Sequence, residues 1–160
     1  MPLFNLTDLH AQLPRNQRLI GLDPGTRTIG IALSDVRRVL ASPYGSIKRG
    51  KLAESVEAIM AIARREDVGG FVVGLPLLMD GTLGPSAQAA RDWTFALTDA
   101  TGLPAAMWDE RLSSAEANRS LSSQGANRAR RAATVDRMAA AVILQAALDY
   151  LRPLPGDSED

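Results

Sequence analysis

Cysteine is absent from this 160-residue chain, and histidine occurs once, at His10. The first absence removes disulfides, thiolate metal sites and thiol nucleophiles. The second argues against a Ser-His-Asp triad and against a histidine-rich zinc site. A metal bound here is expected to be held by oxygen, which favours Mg²⁺ or Mn²⁺. Aromatic residues make up only 4% of the chain against 46% hydrophobic overall, so the core should be aliphatic and rich in alanine. The formal net charge is zero, which speaks against a uniformly basic coat for nucleic acid. No apolar run approaches a membrane span and no secretion signal opens the chain, so a cytoplasmic location is expected.

The neutral total hides local bias. Residues 37–51 hold Arg37, Arg38, Lys48, Arg49 and Lys51 and no acid. Residues 111–137 hold six arginines against Glu116 and Asp136, while residues 149–160 hold four acids against Arg152. Two basic patches and an acidic tail suit a polyanion bound on one face. Either patch alone is also what ordinary solvated surface looks like.

The length suggests one domain, organised around residues 18–35. Leu19, Ile20 and Leu22 lead as a strand into Asp23, Pro24 and Gly25 break it, and Ile29, Ile31 and Leu33 alternate in a second strand. Gly25 has no side chain to keep its backbone away from a phosphate or a metal-bound group. Asp23-Pro24-Gly25 would equally serve as plain turn chemistry. Residues 1–16, with Leu3, Leu6, Leu9 and Leu13 bracketed by Pro2 and Pro14, read as a leader or loosely docked arm. Pro43 suits an edge strand around 39–47. An amphipathic helix is expected over 51–66, a buried strand over 70–75, a turn at Asp80-Gly81, a helix from Pro85 and a strand over 104–109. Ser113-Ser114-Ala115-Glu116 has the form of a capping box for a helix to about residue 122. Residues 123–133 read as a mobile basic loop or frayed helix start, and Thr134 as the cap of a last helix over 135–151. Residues 152–160 form an acidic tail expected to be disordered. This order of elements implies an α/β sheet of mixed strand direction.

Three acids occupy comparable places. Asp23 ends the first strand, Asp109-Glu110 ends the fifth, and Asp136 opens the last helix. Ligands of α/β sheets gather beyond the carboxyl ends of the strands. Three carboxylates meeting there would repel one another, and divalent cations would relieve that. Two ions on such a site suit phosphodiester cleavage. Side chains alternate along a strand, so one of the adjacent pair points inward, and Glu110, the longer and nearer the loop, is favoured over Asp109. Asp136 would also suit the dipole of its own helix without any ligand.

The segments LIGLDPGTRTIGIALSD, VVGLPLLMDGTLGPSAQ, WDERLSSAEA and VDRMAAAVILQAALD, taken in order, resemble the four motifs of the YqgF/RuvX family, known as pre-16S rRNA nucleases or Holliday junction resolvases. The resemblance runs from about residue 18 to 151; Ser114 stands where a threonine is usual. It implies a ribonuclease H-like fold, a five-stranded mixed sheet with helices on both faces, over a nuclease domain at 17–151. It implies Asp23, Glu110 and Asp136 as catalytic, metal-binding residues. Gly25, Arg111, Arg128, Arg130 and Arg131 are candidates for nucleic-acid contact, with Arg111 equally able to fix Glu110 or Asp109. The implied activity is processing of the 5′ end of the small-subunit rRNA precursor, with precursor particles as partners. Resolution of a DNA junction by a homodimer, or nucleic-acid binding without catalysis, stand as alternatives. An actin-like ATPase ranks last, because one lobe cannot clamp a nucleotide.

Overall fold

A computed structural model describes residues 3–113 and 128–152, with the side chains of 3–4 and 128–136 outside the description. Strands β2 (Arg18–Pro24), β3 (Thr28–Ser34) and β4 (Ala41–Lys48) form an antiparallel meander. Strands β5 (Val68–Leu75) and β6 (Ala105–Asp109) add on the other side of β2, all parallel to it. These are the five expected strands, and a two-residue strand, β1 (Leu3–Phe4), extends the sheet beside β6. The order is β1-β6-β5-β2-β3-β4, which puts β4 and its Pro43 at an edge. No helix among the described residues is long and apolar enough to cross a membrane.

Both faces of the sheet are covered. Helices α2 (Leu52–Glu66) and α3 (Pro85–Thr101) bring Ile59, Ile62, Trp93 and Leu97 against Ile20, Leu22, Phe71 and Val73. Helices α1 (Leu6–Gln12) and α4 (Arg128–Leu151) bring Leu6, Leu9, Ile143 and Leu144 against Leu19, Val72 and Ala106. Consecutive residues of β2, β5 and β6 thus serve opposite cores, as strand geometry requires, which explains why these strands read as near-continuous apolar runs.

Two expectations are revised. The N-terminal segment is not a loosely docked arm. Asn5 caps α1 by accepting from the Asp8 amide at 2.8 Å, and Leu6, Leu9 and Leu13 are buried in the core. The last helix already includes residues 128–134, so Thr134 is not its cap. Its opening residues are arginine and alanine, which favour helix. The expected 113–122 helix falls almost wholly on residues 114–127, outside the described residues, as does most of the acidic tail.

The helix α4 lies close on the sheet. A Cβ built on Gly21 would stand 2.7 Å from the Leu144 Cβ and 3.1 Å from the Ala140 carbonyl. The helix also has a direction that matters. Gln145 Oε1 accepts from the Ala41 amide at 2.8 Å, and Leu148, Leu151 and Arg152 line a small hollow with His10 and Arg38. These lie where β2 begins and β4 starts, so the N-terminal half of α4 runs toward the end of the sheet where β2 stops.

Candidate active site

At that end, β2 delivers Asp23. Alternation assigns it to the α4 face, because Leu19 and Gly21 face α1 and α4 while Ile20 and Leu22 face the other way. The same count on β6 runs Trp108 toward α4, Asp109 away and Glu110 back. Glu110 opens a short 3₁₀ turn, Glu110–Leu112. Asp23 and Glu110 are 5% and 6% exposed, and both line one cavity of about 270 Å³. Pro24, Gly25, Thr26, Arg49, Pro76, Ser86, Ala89 and Ala90 complete its wall. Beside it, a Cβ on Gly74 would stand 2.8 Å from both Glu110 Oε2 and Ile143 Cδ1. Only glycine leaves the carboxylate that place.

The neighbouring acid behaves differently. Asp109 receives a bidentate clamp from Arg111: Nη2 donates to Oδ2 at 2.7 Å, Nε to Oδ1 at 3.1 Å, and the Arg111 amide to Oδ1 at 2.9 Å. The Arg111 hydrogen bond holds the Asp109 carboxyl below the usual carboxylate range against the opposing effect of burial. Arg111 also donates from Nη1 to the Met79 carbonyl at 3.3 Å, pinning the turn whose Gly81 has φ +87°. In the structure Arg111 holds Asp109 and the 78–82 turn. It does not line the cavity of Asp23 and Glu110.

Of the residues singled out from sequence, the structure brings Asp23, Glu110 and Gly25 to one cavity. Asp136, Arg128, Arg130 and Arg131 lie on the α4 backbone, in the half directed to that end, with side chains outside the described residues. Sequence reasoning missed Arg49 as a member of the site. Its signal was the basic run at 37–51, but its position follows from register. Thr28 pairs with Lys48, so the residue after β4 meets the turn after Asp23.

The donor set fits a hard divalent cation. It offers two buried carboxylates, with neither lysine nor histidine in the cavity wall. Among the described residues no group of three acidic or histidine ligands assembles.

A family model described as RuvX, Holliday junction resolvase, matches residues 17–150. The chain belongs to the RuvX family. Relatives named "Putative pre-16S rRNA nuclease" include one from Acidiphilium cryptum, 62% identical over 94% of this chain and 96% of its own. Another, from Gluconacetobacter diazotrophicus, is 59% identical over 93% of this chain and 97% of its own. Among solved structures, T. thermophilus RuvC in complex with Holliday junction substrate superposes with a TM-score of 0.51 at 13% identity, covering 84% of this chain and 96% of that one. At that identity the likeness concerns the fold alone, and it gives the RuvX chain the ribonuclease H-like architecture of RuvC.

Proposed function

We propose that this RuvX-family protein is a metal-dependent nuclease acting in the cytoplasm on the 5′ end of the pre-16S ribosomal RNA. The observation that carries the reading is that Asp23 and Glu110 are both buried and both line one cavity at the carboxyl end of the parallel strands. The names of the relatives, at up to 62% identity across nearly the whole chain, support the substrate.

In this reading Asp23, Glu110 and Asp136 hold Mg²⁺ or Mn²⁺, two ions in the full site. Bound metal supplies stabilisation of the attacking and leaving oxygens of an in-line displacement. The chain's own residues do the rest. Buried carboxylates fixed by β2 and by the 3₁₀ turn give the site a rigid geometry, so the phosphate enters an arrangement already made. The turn at Gly25 lets backbone approach the substrate strand. Arg128, Arg130 and Arg131 contact backbone phosphates without reading sequence. Water attacks phosphorus and releases a proton, the ester P–O bond breaks, and the leaving oxygen takes up a proton.

The second reading, resolution of a four-way DNA junction, is favoured by the description of the family model. It needs two symmetric cuts and hence a dimer. Labelled rRNA precursor, single-stranded DNA and a four-way junction, each with Mg²⁺, Mn²⁺ or EDTA, separate the readings. Metal-dependent cutting of the precursor, abolished by Asp23→Asn, is the expected result. Paired incisions confined to the junction favour the second reading. Binding without cutting under any metal leaves a non-catalytic factor.

A further inference from the structure

Arg49 is the cationic side chain in the wall of the cavity that holds Asp23 and Glu110. Its place is set from three sides. Its amide donates to the Arg27 carbonyl at 2.8 Å, which ties the end of β4 to the β2–β3 turn. Its Nη1 donates to the Gly25 carbonyl at 2.7 Å. Its guanidinium lies 5.8 Å from the centre of the Trp93 ring, and Trp93 is itself buried on the inner face of α3. An aromatic face attracts a guanidinium and restricts where it can go. Arg111, by contrast, is clamped to Asp109.

A guanidinium has five donors in a planar fork. Hydrogen bonding to one carbonyl and resting on one ring use only part of that donor set and leave the full positive charge in place. Among the described residues, the other charged members of the cavity wall are Asp23 and Glu110. A polyanion entering this cavity needs a cation on the rim to offset the carboxylates. A planar fork also matches two oxygens of a phosphate at once.

We propose that Arg49 binds a backbone phosphate of the substrate strand at the mouth of this cavity, with Gly25 and Trp93 holding its guanidinium ready. It acts as a binding and positioning residue, independent of base sequence. The proposal takes from the nuclease reading only that the ligand is a nucleic acid. Its test reads binding, so the two can fail separately.

The test is titration of a fluorescent single-stranded RNA with wild type, Arg49→Gln and Arg49→Lys in EDTA, over a series of salt concentrations, beside a thermal melt of each protein. A protein that neutralises one phosphate fewer shows a shallower dependence of log affinity on log salt, by about 0.7 for a single strand. Arg49→Gln is expected to bind about tenfold more weakly at low salt, with its slope reduced by about that amount. Arg49→Lys should restore the slope but only part of the affinity, since a point charge replaces a fork. If Arg49 merely braces the Gly25 turn, the melting temperature falls while slope and affinity hold, and the proposal is overturned. Should the glutamine variant not fold, wild-type affinity in Arg49→Lys overturns it instead. Wild type that binds RNA but cuts nothing with any divalent ion defeats the nuclease reading and leaves this contact standing. Wild type that binds none of the RNA overturns this contact and leaves the nuclease reading to the cleavage assays.

Discussion

At the end of the sheet where β2 begins, Asp35 and Arg38 sit in the β3–β4 turn with partners supplied by the chain itself. At the end where β2 stops, Asp23 and Glu110 sit buried against a cavity with Arg49 on its wall. In the first region Asp35 Oδ1 accepts from the amides of Val39 and Leu40 at 2.8 and 3.0 Å. Burial opposes ionisation of Asp35, but those amides outweigh it and leave the carboxyl below its usual range. Arg38, in the left-handed region at φ 57°, donates to the Pro14 and Gln17 carbonyls at 3.1 and 2.6 Å and to His10 Nδ1 at 3.3 Å. That turn thereby ties α1 to the sheet. In the second region the charge lines an opening large enough for a ligand. Charge at the first end holds the architecture together; at the second, Asp109 and Arg111 do the same while Asp23, Glu110 and Arg49 line a space.

Glycine substitutions give the largest effects that break this contrast. Gly21→Ala drives a Cβ against the backbone of α4, which cannot yield without moving the helix. It should cost about 1–3 kcal/mol of stability, read by denaturant unfolding. Gly74→Ala meets only the ends of the Glu110 and Ile143 side chains, which can turn away. Its stability cost should be smaller than that of Gly21→Ala, and its loss of cleavage per folded molecule larger, because Glu110 is displaced from the cavity.

Next in size is Arg38→Ala. It removes the hydrogen bonds to Pro14, Gln17 and His10 and should cost about 1–2 kcal/mol, read by thermal or denaturant unfolding. Cleavage per folded molecule should hold. A comparable loss of catalysis would erase the distinction between the two ends.

The smallest effect is on pH. Burial, and then the charge of Arg38, hold the His10 imidazole below its ordinary value. A lowered folded-state value means that the unfolded chain takes up the proton first as pH falls. The contribution of neutral His10 is therefore present above about pH 6.5 and is lost as pH drops through the lower folded value. Melting temperatures of wild type and His10→Gln should converge on acidification across that window. Curves that stay parallel would show that His10 does not titrate differently on folding.

Much of this was legible in the sequence. Asp23 could be placed because a strand that runs into Pro-Gly must end there. Strand alternation allowed only one of Asp109 and Glu110 to face inward, and Glu110 was favoured as the longer and nearer the loop; the structure clamps Asp109 with Arg111. The burial of α1 was hidden by flanking prolines, and by a leucine spacing whose partners Ala106 and Leu148 are far away in the chain. The early start of α4 was hidden because arginines and alanines carry helix propensity but no cap to mark a boundary. Arg49 was hidden for a third reason. Its place depends on hairpin register across three strands, and register is fixed by pairing that a basic run does not reveal.

The central claim is that Glu110 serves the cavity and Asp109 serves the loop, and adjacent variants test it most directly. We would measure cleavage of labelled rRNA precursor with Mn²⁺ by wild type, Glu110→Gln and Asp109→Asn. Glu110→Gln should lose at least about a hundredfold in rate while keeping its fold, as expected for a ligand of catalytic metal. Asp109→Asn should keep most of the activity. Full activity in Glu110→Gln, or collapse in Asp109→Asn alone, would contradict the account.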